Sequence, residues 1–118
     1  MDGTVYSFGN FRLDAGERLL FDGASAVTLP PKIFDTLLML VANNGRVLTK
    51  ERMLAEIWDD SFVEENNLAQ NISHLRRLLG ETADAKFIET VPKFGYRFVP
   101  PVHERADTPT WPRASTTW

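Results

Sequence analysis

Amide, hydroxyl, imidazole and guanidinium side chains share one face of a helix that the sequence predicts between residues 65 and 80. At about 100° per residue, four large apolar side chains of this segment cluster within an arc of about 60°; they are Leu68, Ile72, Leu75 and Leu79. The opposite face and its two flanks carry Asn66, Asn67, Gln70, Asn71, Ser73, His74, Arg76 and Arg77. Asn, Gln and Arg form paired hydrogen bonds with base edges in DNA. These residue types and their spacing therefore predict a surface that reads nucleic acid, with Gln70, His74 and Arg77 able to reach bases.

A solvated helix face without a ligand is the competing interpretation. Solvated faces usually mix both charge signs, often as Glu–Lys pairs, whereas residues 66–80 contain two Arg, one His and no acid. The formal net charge of the chain is −3, from 13 basic and 16 acidic side chains, which opposes binding to a polyanion. A binding footprint is local, so an acid-free face on an acidic body is still compatible with DNA binding. The pattern alone leaves both interpretations open.

Length and composition exclude several other classes of protein. A chain of 118 residues with 43% apolar and 25% charged side chains is typical of a single globular domain. It contains no Cys, so thiol nucleophiles, disulfides and cysteine-ligated metals are excluded. There is no Gly-rich phosphate loop, and His74 has only His103 as a second histidine. We therefore predict no metal site, no cofactor, no small-molecule substrate and no enzymatic activity.

The segment before the helices is predicted to form a small antiparallel sheet. Residues 5–29 contain short apolar runs that are separated by turn signals. Asp22-Gly23 is a strong hairpin signal, and Gly9-Asn10 is typical of either a bulge or a tight turn. We expect three or four short strands here.

Two further helices are predicted between this sheet and the polar helix. The first has Pro31 in its first turn, where no backbone N–H is needed, and Asn43-Asn44-Gly45 as its end. The second begins after Thr49, a favourable N-cap, and is interrupted at Asp59-Asp60-Ser61. The third is the polar helix, from about Glu65 to Gly80.

The chain after the helices is predicted to form a hairpin followed by a tail. Phe87–Val91 and Tyr96–Val99 are rich in aromatic and β-branched residues, and residues 92–95 are typical of a turn. Beyond Pro100-Pro101 the composition lacks apolar periodicity. We therefore divide the chain into a domain over residues 1–101 and a flexible tail or linker over residues 102–118.

This order predicts an α+β fold: a winged helix-turn-helix with an N-terminal antiparallel sheet, a three-helix core and a C-terminal β-hairpin wing. In such folds the third helix enters the major groove and the wing reaches the backbone or the minor groove. The sequence resembles the OmpR/PhoB-type winged-helix DNA-binding domain of bacterial transcriptional regulators over about residues 5–100. The most specific segments are Asn71-Ile72-Ser73-His74-Leu75-Arg76-Arg77-Leu78 and the stretch from Ile88 to Phe98 with its Thr90-Val91 and Gly95-Tyr96-Arg97-Phe98.

The resemblance implies a role for individual residues. By position it assigns base reading to Gln70 and His74. It assigns phosphate contacts to Trp58, Asn66, Asn71, Ser73, Arg76, Thr90 and Tyr96, to which we add Asn67 and Lys93. Other interpretations stay open for three of them: Trp58 and Tyr96 also suit packing, and Arg76 also suits an internal ion pair.

The sequence departs from the family at the wing and on the third helix. Some relatives have an Arg at the position of Pro92 and insert it into the minor groove. Pro92 has no hydrogen-bond donor and cannot make this contact. Lys93 is then the nearest cation. Relatives also carry Arg at the positions of Ser73 and His74, so we expect weaker phosphate attraction and a different sequence preference in this chain.

We therefore expect sequence-specific binding of double-stranded DNA by a bacterial transcriptional regulator, with the recognition helix at about 66–79 and the wing at 87–99. The alternative is a winged-helix protein–protein interaction module that does not bind DNA. The resemblance further implies a monomer that pairs in tandem on DNA, and RNA polymerase contact through residues 59–64. The domain starts near Met1, as in a CadC/ToxR-like layout, so we expect a cytoplasmic domain that a sensor follows, with or without a tether to the inner membrane.

Overall fold

The computed structural model describes residues 4–58, 65–81 and 86–106. The N-terminal strands are β1 (Thr4–Phe8), β2 (Phe11–Asp14), β3 (Leu19–Asp22) and β4 (Ser25–Val27). Three helices follow: α1 (Pro31–Ala42), α2 (Lys50–Ile57) and α3 (Glu65–Leu79). The remaining strands are β5 (Leu48–Thr49), β6 (Ile88–Val91), β7 (Gly95–Phe98) and β8 (His103–Ala106). The predicted α+β winged helix-turn-helix is confirmed.

The N-terminal sheet is antiparallel, with the strand order β4-β3-β2-β1-β8. Phe8 pairs with Phe11, so Gly9 and Asn10 form a two-residue turn rather than a bulge. Gly9 adopts a φ of 57°, a conformation that favours glycine. Asp22 pairs with Ser25 across the second predicted turn. The local turn chemistry thus fixes the register of β1 with β2 and of β3 with β4.

The boundary that we placed after residue 101 differs from the structure. His103–Ala106 forms β8, which pairs antiparallel with β1 from Ser7↔His103 to Thr4↔Ala106. Without β8, the edge of β1 would expose a row of unpaired backbone groups. The pairing uses backbone hydrogen bonds and needs no apolar pattern, so the composition gave no sign of it. The rest of the predicted tail lies outside the described residues.

The helix boundaries follow the predicted capping residues. The hydroxyl of Thr49 accepts a hydrogen bond from the backbone N–H of Arg52 at 3.1 Å and caps α2. Pro31 is the first residue of α1. Gly45, with a φ of 83°, lets the chain turn away after α1.

A second, three-stranded sheet attaches the wing to the helical core. Its strand order is β5-β7-β6, with Leu48 opposite Tyr96 and Thr49 opposite Gly95. The hairpin of β6 and β7 is the predicted wing. The pairing with β5 was not predicted, because a strand of two residues carries no periodic signal. It places the wing directly beside the N-terminus of α2.

The core lies between the N-terminal sheet, the wing and the three helices. The apolar stripe of α3 is buried, as predicted: Leu68, Ile72, Leu75 and Leu79 are at most 4% exposed. Phe8 and Phe98 pack edge to face, with ring centroids 5.0 Å apart. Burial of the stripe fixes the rotation of α3, and therefore decides which side chains of α3 face solvent.

Candidate nucleic-acid interface

The polar face of α3 is exposed along its whole length. Asn66, Asn67, Gln70, Ser73, His74 and Arg77 are all exposed. All but Asn67 line one shallow depression together with the half-buried Ala69. No carboxylate lines this depression. The structure thus brings the three predicted base-reading residues, Gln70, His74 and Arg77, onto one accessible surface.

Asn71 fixes α3 against α1. Its Nδ2 donates to Oγ1 of Thr36 at 3.2 Å and to the backbone oxygen of Lys32 at 3.5 Å. Thr36 is fully buried, and its hydroxyl donates in turn to the Lys32 oxygen at 2.8 Å. Asn71 is half-buried, so it stands apart from the exposed group. Its predicted phosphate contact stays a prediction beside this internal role.

The C-terminal end of α2 is held by a cation from α1. Nζ of Lys32 donates to the backbone oxygen of Ile57 at 2.7 Å, where the helix dipole favours positive charge. Trp58 follows as the C-cap; it is half-buried and packs against the core. The packing role that we left open for Trp58 is therefore observed, and its phosphate contact stays a prediction.

An ion pair joins the N-termini of α2 and α3. Nζ of Lys50 donates to Oε2 of Glu65 at 2.6 Å. The hydrogen bond to Glu65 is the main reason why the pKa of Lys50 is raised above its ordinary value. The backbone N–H of Lys50 donates to the oxygen of Phe94 at 3.0 Å. Lys50 therefore links α2, α3 and the wing turn, a role that its sequence position did not reveal.

The end of α3 is linked to the wing by Arg76 and Glu81. Nη2 of Arg76 donates to the oxygen of Ile88 at 3.0 Å and to Oγ1 of Thr90 at 2.7 Å. Oε2 of Glu81 accepts the backbone N–H groups of Phe87 and Ile88 at 2.8 and 3.0 Å. The internal ion pair that the sequence left open for Arg76 is thus observed, with Nε 3.3 Å from Oε1 of Glu81.

The wing turn presents one cation and one aromatic ring to solvent. Pro92, Lys93 and Phe94 are all exposed, and Phe94 is 61% exposed. Lys93 adopts a φ of 70°, the left-handed conformation that the turn requires. Below the turn, Tyr96 is 8% exposed and belongs to the core, so most of its surface serves packing.

The predicted site residues thus fall into two groups. Those with exposed side chains are Asn66, Asn67, Gln70, Ser73, His74, Arg77, Thr90 and Lys93. Those that are half-buried or buried are Trp58, Asn71, Arg76 and Tyr96. The sequence reasoning missed Glu81 and Lys50. Glu81 had one usable signal, a carboxylate directly after the Gly that ends α3, five residues beyond Arg76.

No metal site and no membrane span were found in the described part of the chain. No group of three or more His, Asp or Glu side chains there is arranged to hold a metal ion. None of the helices in residues 4–58 and 65–81 is long and apolar enough to cross a bilayer.

The sheet, the three helices, the exposed polar face of α3 and the attached hairpin define a winged helix-turn-helix domain of the OmpR/PhoB type. Comparison with known proteins agrees with this class. The chain belongs to the family described as "Transcriptional regulatory protein, C terminal", which matches residues 24–98.

The chain is similar to curated transcriptional regulators and to solved DNA-binding domains. The chain is 35% identical over 97 residues to the transcriptional regulator HilA of Salmonella typhi, covering 82% of this chain and 17% of HilA. The DNA-binding domain of Escherichia coli CadC superimposes with a TM-score of 0.74 at 27% identity, covering 87% of this chain and 98% of that domain. The Klebsiella pneumoniae RstA DNA-binding domain, solved in complex with the RstA box, gives 0.69 at 26% identity, covering 80% and 96%. The chain thus spans less than one fifth of HilA.

Proposed function

We propose that this chain binds double-stranded DNA sequence-specifically, as the DNA-binding domain of a bacterial transcriptional regulator. The observation that carries the proposal is the exposed, carboxylate-free face of α3, where Gln70, His74 and Arg77 lie together. Burial of the opposite stripe leaves this face as the surface that a major groove can accept. Membership of the family supports the same function.

The exposed side chains divide into base readers and backbone contacts. Gln70 suits paired hydrogen bonds to adenine and Arg77 suits guanine, whereas His74 offers a ring N–H or a ring nitrogen. Asn66, Asn67 and Ser73 lie on the same face and provide donors for phosphate oxygens. Lys93 at the wing turn contributes a flexible ammonium that follows the backbone and does not select a base.

Selection from a pool of randomised duplexes tests the proposal. Repeated selection by the purified chain, followed by sequencing, is expected to enrich one short motif. A matched chain with Gln70→Ala and His74→Ala is expected to enrich a different or weaker motif. A wild-type chain that retains no duplex at low salt would instead favour the protein–protein module, which the net charge of −3 also suits.

The assembly and the location follow from DNA binding. One recognition helix reads one short half-site, so we propose that the chain is a monomer in solution and that two copies pair in tandem on DNA. The proposed contact with RNA polymerase involves residues 59–64, which lie outside the described residues. We propose that the domain lies in the cytoplasm, where bacterial DNA is accessible. If the chain is part of a longer protein, the same proposal includes a tether of that protein to the inner membrane.

A further inference from the structure

At the C-terminal end of α3, the chain turns so that the carboxylate of Glu81 lies against the first strand of the wing. Gly80, with a φ of 75°, reverses the chain after α3. The N–H of Glu81 then donates to the oxygen of Arg76 at 2.9 Å, and the N–H of Gly80 donates to the oxygen of Arg77 at 3.2 Å. This pair of hydrogen bonds is a Schellman motif. The side chain of Glu81 is then only 14% exposed, and its carboxylate lies beside the start of β6.

Glu81 and Arg76 together bind three residues at the start of the wing, Phe87, Ile88 and Thr90. The carboxylate of Glu81 accepts the N–H groups of residues 87 and 88, and the guanidinium of Arg76 donates to the oxygen of residue 88 and the hydroxyl of residue 90. A planar guanidinium directs its donors rigidly, so these bonds fix orientation as well as distance. The wing therefore has a defined position relative to α3.

The charges of Arg76 and Glu81 largely neutralise each other. Nε of Arg76 is buried 3.3 Å from Oε1 of Glu81, as an ion pair rather than a hydrogen bond, since Nε has no hydrogen-bond partner among the described residues. The positive charge of Arg76 is thus offset locally by Glu81, which lowers its attraction for a phosphate. The Thr90 hydroxyl accepts one bond from Arg76, keeps its own proton and is exposed. Thr90, rather than Arg76, is therefore the group placed to donate to a phosphate.

We propose that Arg76 and Glu81 are positioning residues for DNA binding: they set the place of the wing beside the recognition helix, and they act on the phosphate backbone through Thr90. The proposal rests on the proposed DNA binding. It assigns a role to Glu81, and it replaces the direct phosphate contact that the family resemblance implies for Arg76.

The variant Glu81→Gln separates positioning from charge. It removes one negative charge from a protein that binds a polyanion, so charge alone predicts equal or tighter binding. An amide keeps the size of the side chain and one oxygen that can accept both strand N–H groups, as Oε2 does in the wild type. It is a weaker, uncharged acceptor, and it loses the ion pair with Arg76. Positioning therefore predicts weaker binding, by about tenfold, the effect of one lost good contact. Glu17→Gln is the matched control, because Glu17 is exposed in the turn between β2 and β3.

The affinity of each variant is measured by fluorescence anisotropy on the selected duplex, over a salt series, after thermal unfolding has shown that the variant is folded. Arg76→Lys keeps the charge without the directed donors, so we expect it to bind as weakly as Glu81→Gln. The double variant is expected to bind no more weakly than either single one, because both act through one link. Glu81→Gln binding as well as Glu17→Gln, or additive losses, would overturn the proposal.

Thr90 provides a second test if Glu81→Gln does not fold. Thr90→Val removes the hydroxyl and keeps the β-branched shape, and Thr90→Ser restores the hydroxyl. We expect about tenfold weaker binding for the first and near wild-type binding for the second. Wild-type affinity for Thr90→Val contradicts the proposal. If the wild-type chain binds no duplex, DNA binding itself is refuted. The positioning of the wing is then tested separately by hydrogen exchange, which we expect to be faster at the Phe87 and Ile88 amides in Glu81→Gln than in the wild type.

Discussion

Gly95 in the wing approaches Leu48 in β5 so closely that a Cβ on residue 95 would lie 1.8 Å from the Leu48 oxygen. The same Cβ would lie 2.9 Å from Cα of Thr49. Because both obstacles are backbone atoms, no side-chain rotation can relieve them. Glycine is required here by space, and it allows the wing to pair with the strand that leads into α2.

Gly95→Ala is therefore expected to loosen the wing. We predict a loss of about 2–3 kcal/mol in the free energy of unfolding, as for an overpacked site, and weaker DNA binding. Urea unfolding and anisotropy on the selected duplex measure the two effects. Gly45→Ala is the control, because a Cβ there meets no atom within 4 Å and only the φ of 83° opposes it. Equal losses of stability in the two variants would contradict the close approach.

Replacement of the base readers should change sequence preference. Gln70→Ala and His74→Ala each remove one exposed polar side chain from α3, and each is expected to cost about 1–3 kcal/mol on the selected site and less on scrambled DNA. His103→Ala is the control, because His103 is exposed in β8, outside the α3 face. If both α3 variants keep the affinity and the preference of the wild type, α3 does not read bases.

The wing cation should act on every sequence equally. Lys93→Ala is expected to weaken binding to selected and scrambled duplexes by the same factor and to lower the salt slope by roughly one. Arg97→Ala should have a smaller effect, because Arg97 pairs with Glu89 on the neighbouring strand. An effect of Lys93→Ala that is confined to the selected duplex would show that the wing reads sequence.

Asn71 and Asn67 give a matched pair on α3. Asn71→Ala removes the hydrogen bonds to Thr36 and to the Lys32 oxygen, and we expect it to destabilise the fold by about 1 kcal/mol. Asn67 is exposed, so Asn67→Ala should change the free energy of unfolding by less than about 0.5 kcal/mol. Urea denaturation of both variants decides whether the Asn71 amide stabilises the contact of α3 with α1, and identical midpoints would exclude it.

The isolated chain should be monomeric. The proposed tandem arrangement forms on DNA, so static light scattering of the free chain is expected to give the mass of one copy, 13.4 kDa. The same measurement with a duplex that carries two copies of the selected motif should give two chains per duplex. A stable dimer without DNA is the result that would reject this arrangement.

Local signals predicted the parts of the fold that short-range chemistry decides. Thr49 was identified as an N-cap from its type and position, and its hydroxyl does accept the Arg52 N–H. The stripe that contains Leu68 and Leu75 predicted the buried side of α3, and therefore which face is exposed. Periodicity and capping depend on neighbours three or four residues away, so both can be recognised in a single sequence.

Features that depend on contacts between distant segments could not be predicted from the sequence. The pairing of β8 with β1 joins residues about one hundred positions apart through backbone atoms alone. Glu81 is an ordinary acid in the sequence, and only the folded chain places its carboxylate on the amides of Phe87 and Ile88. The partner of a charged side chain is a tertiary property, which is why Arg76 admitted two interpretations until the fold was known.

Titration of the isotope-labelled chain with the selected duplex, followed by amide and side-chain NMR shifts, tests the central claim most directly. We predict that the largest shifts map to the exposed face of α3, including the side-chain amide of Gln70 and the ring of His74, with smaller shifts at Lys93 and Thr90. The strands β3 and β4, at the far side of the N-terminal sheet from β8, should shift least. Shifts concentrated on those strands, with the α3 face unchanged, would contradict the assignment of α3 as the recognition helix.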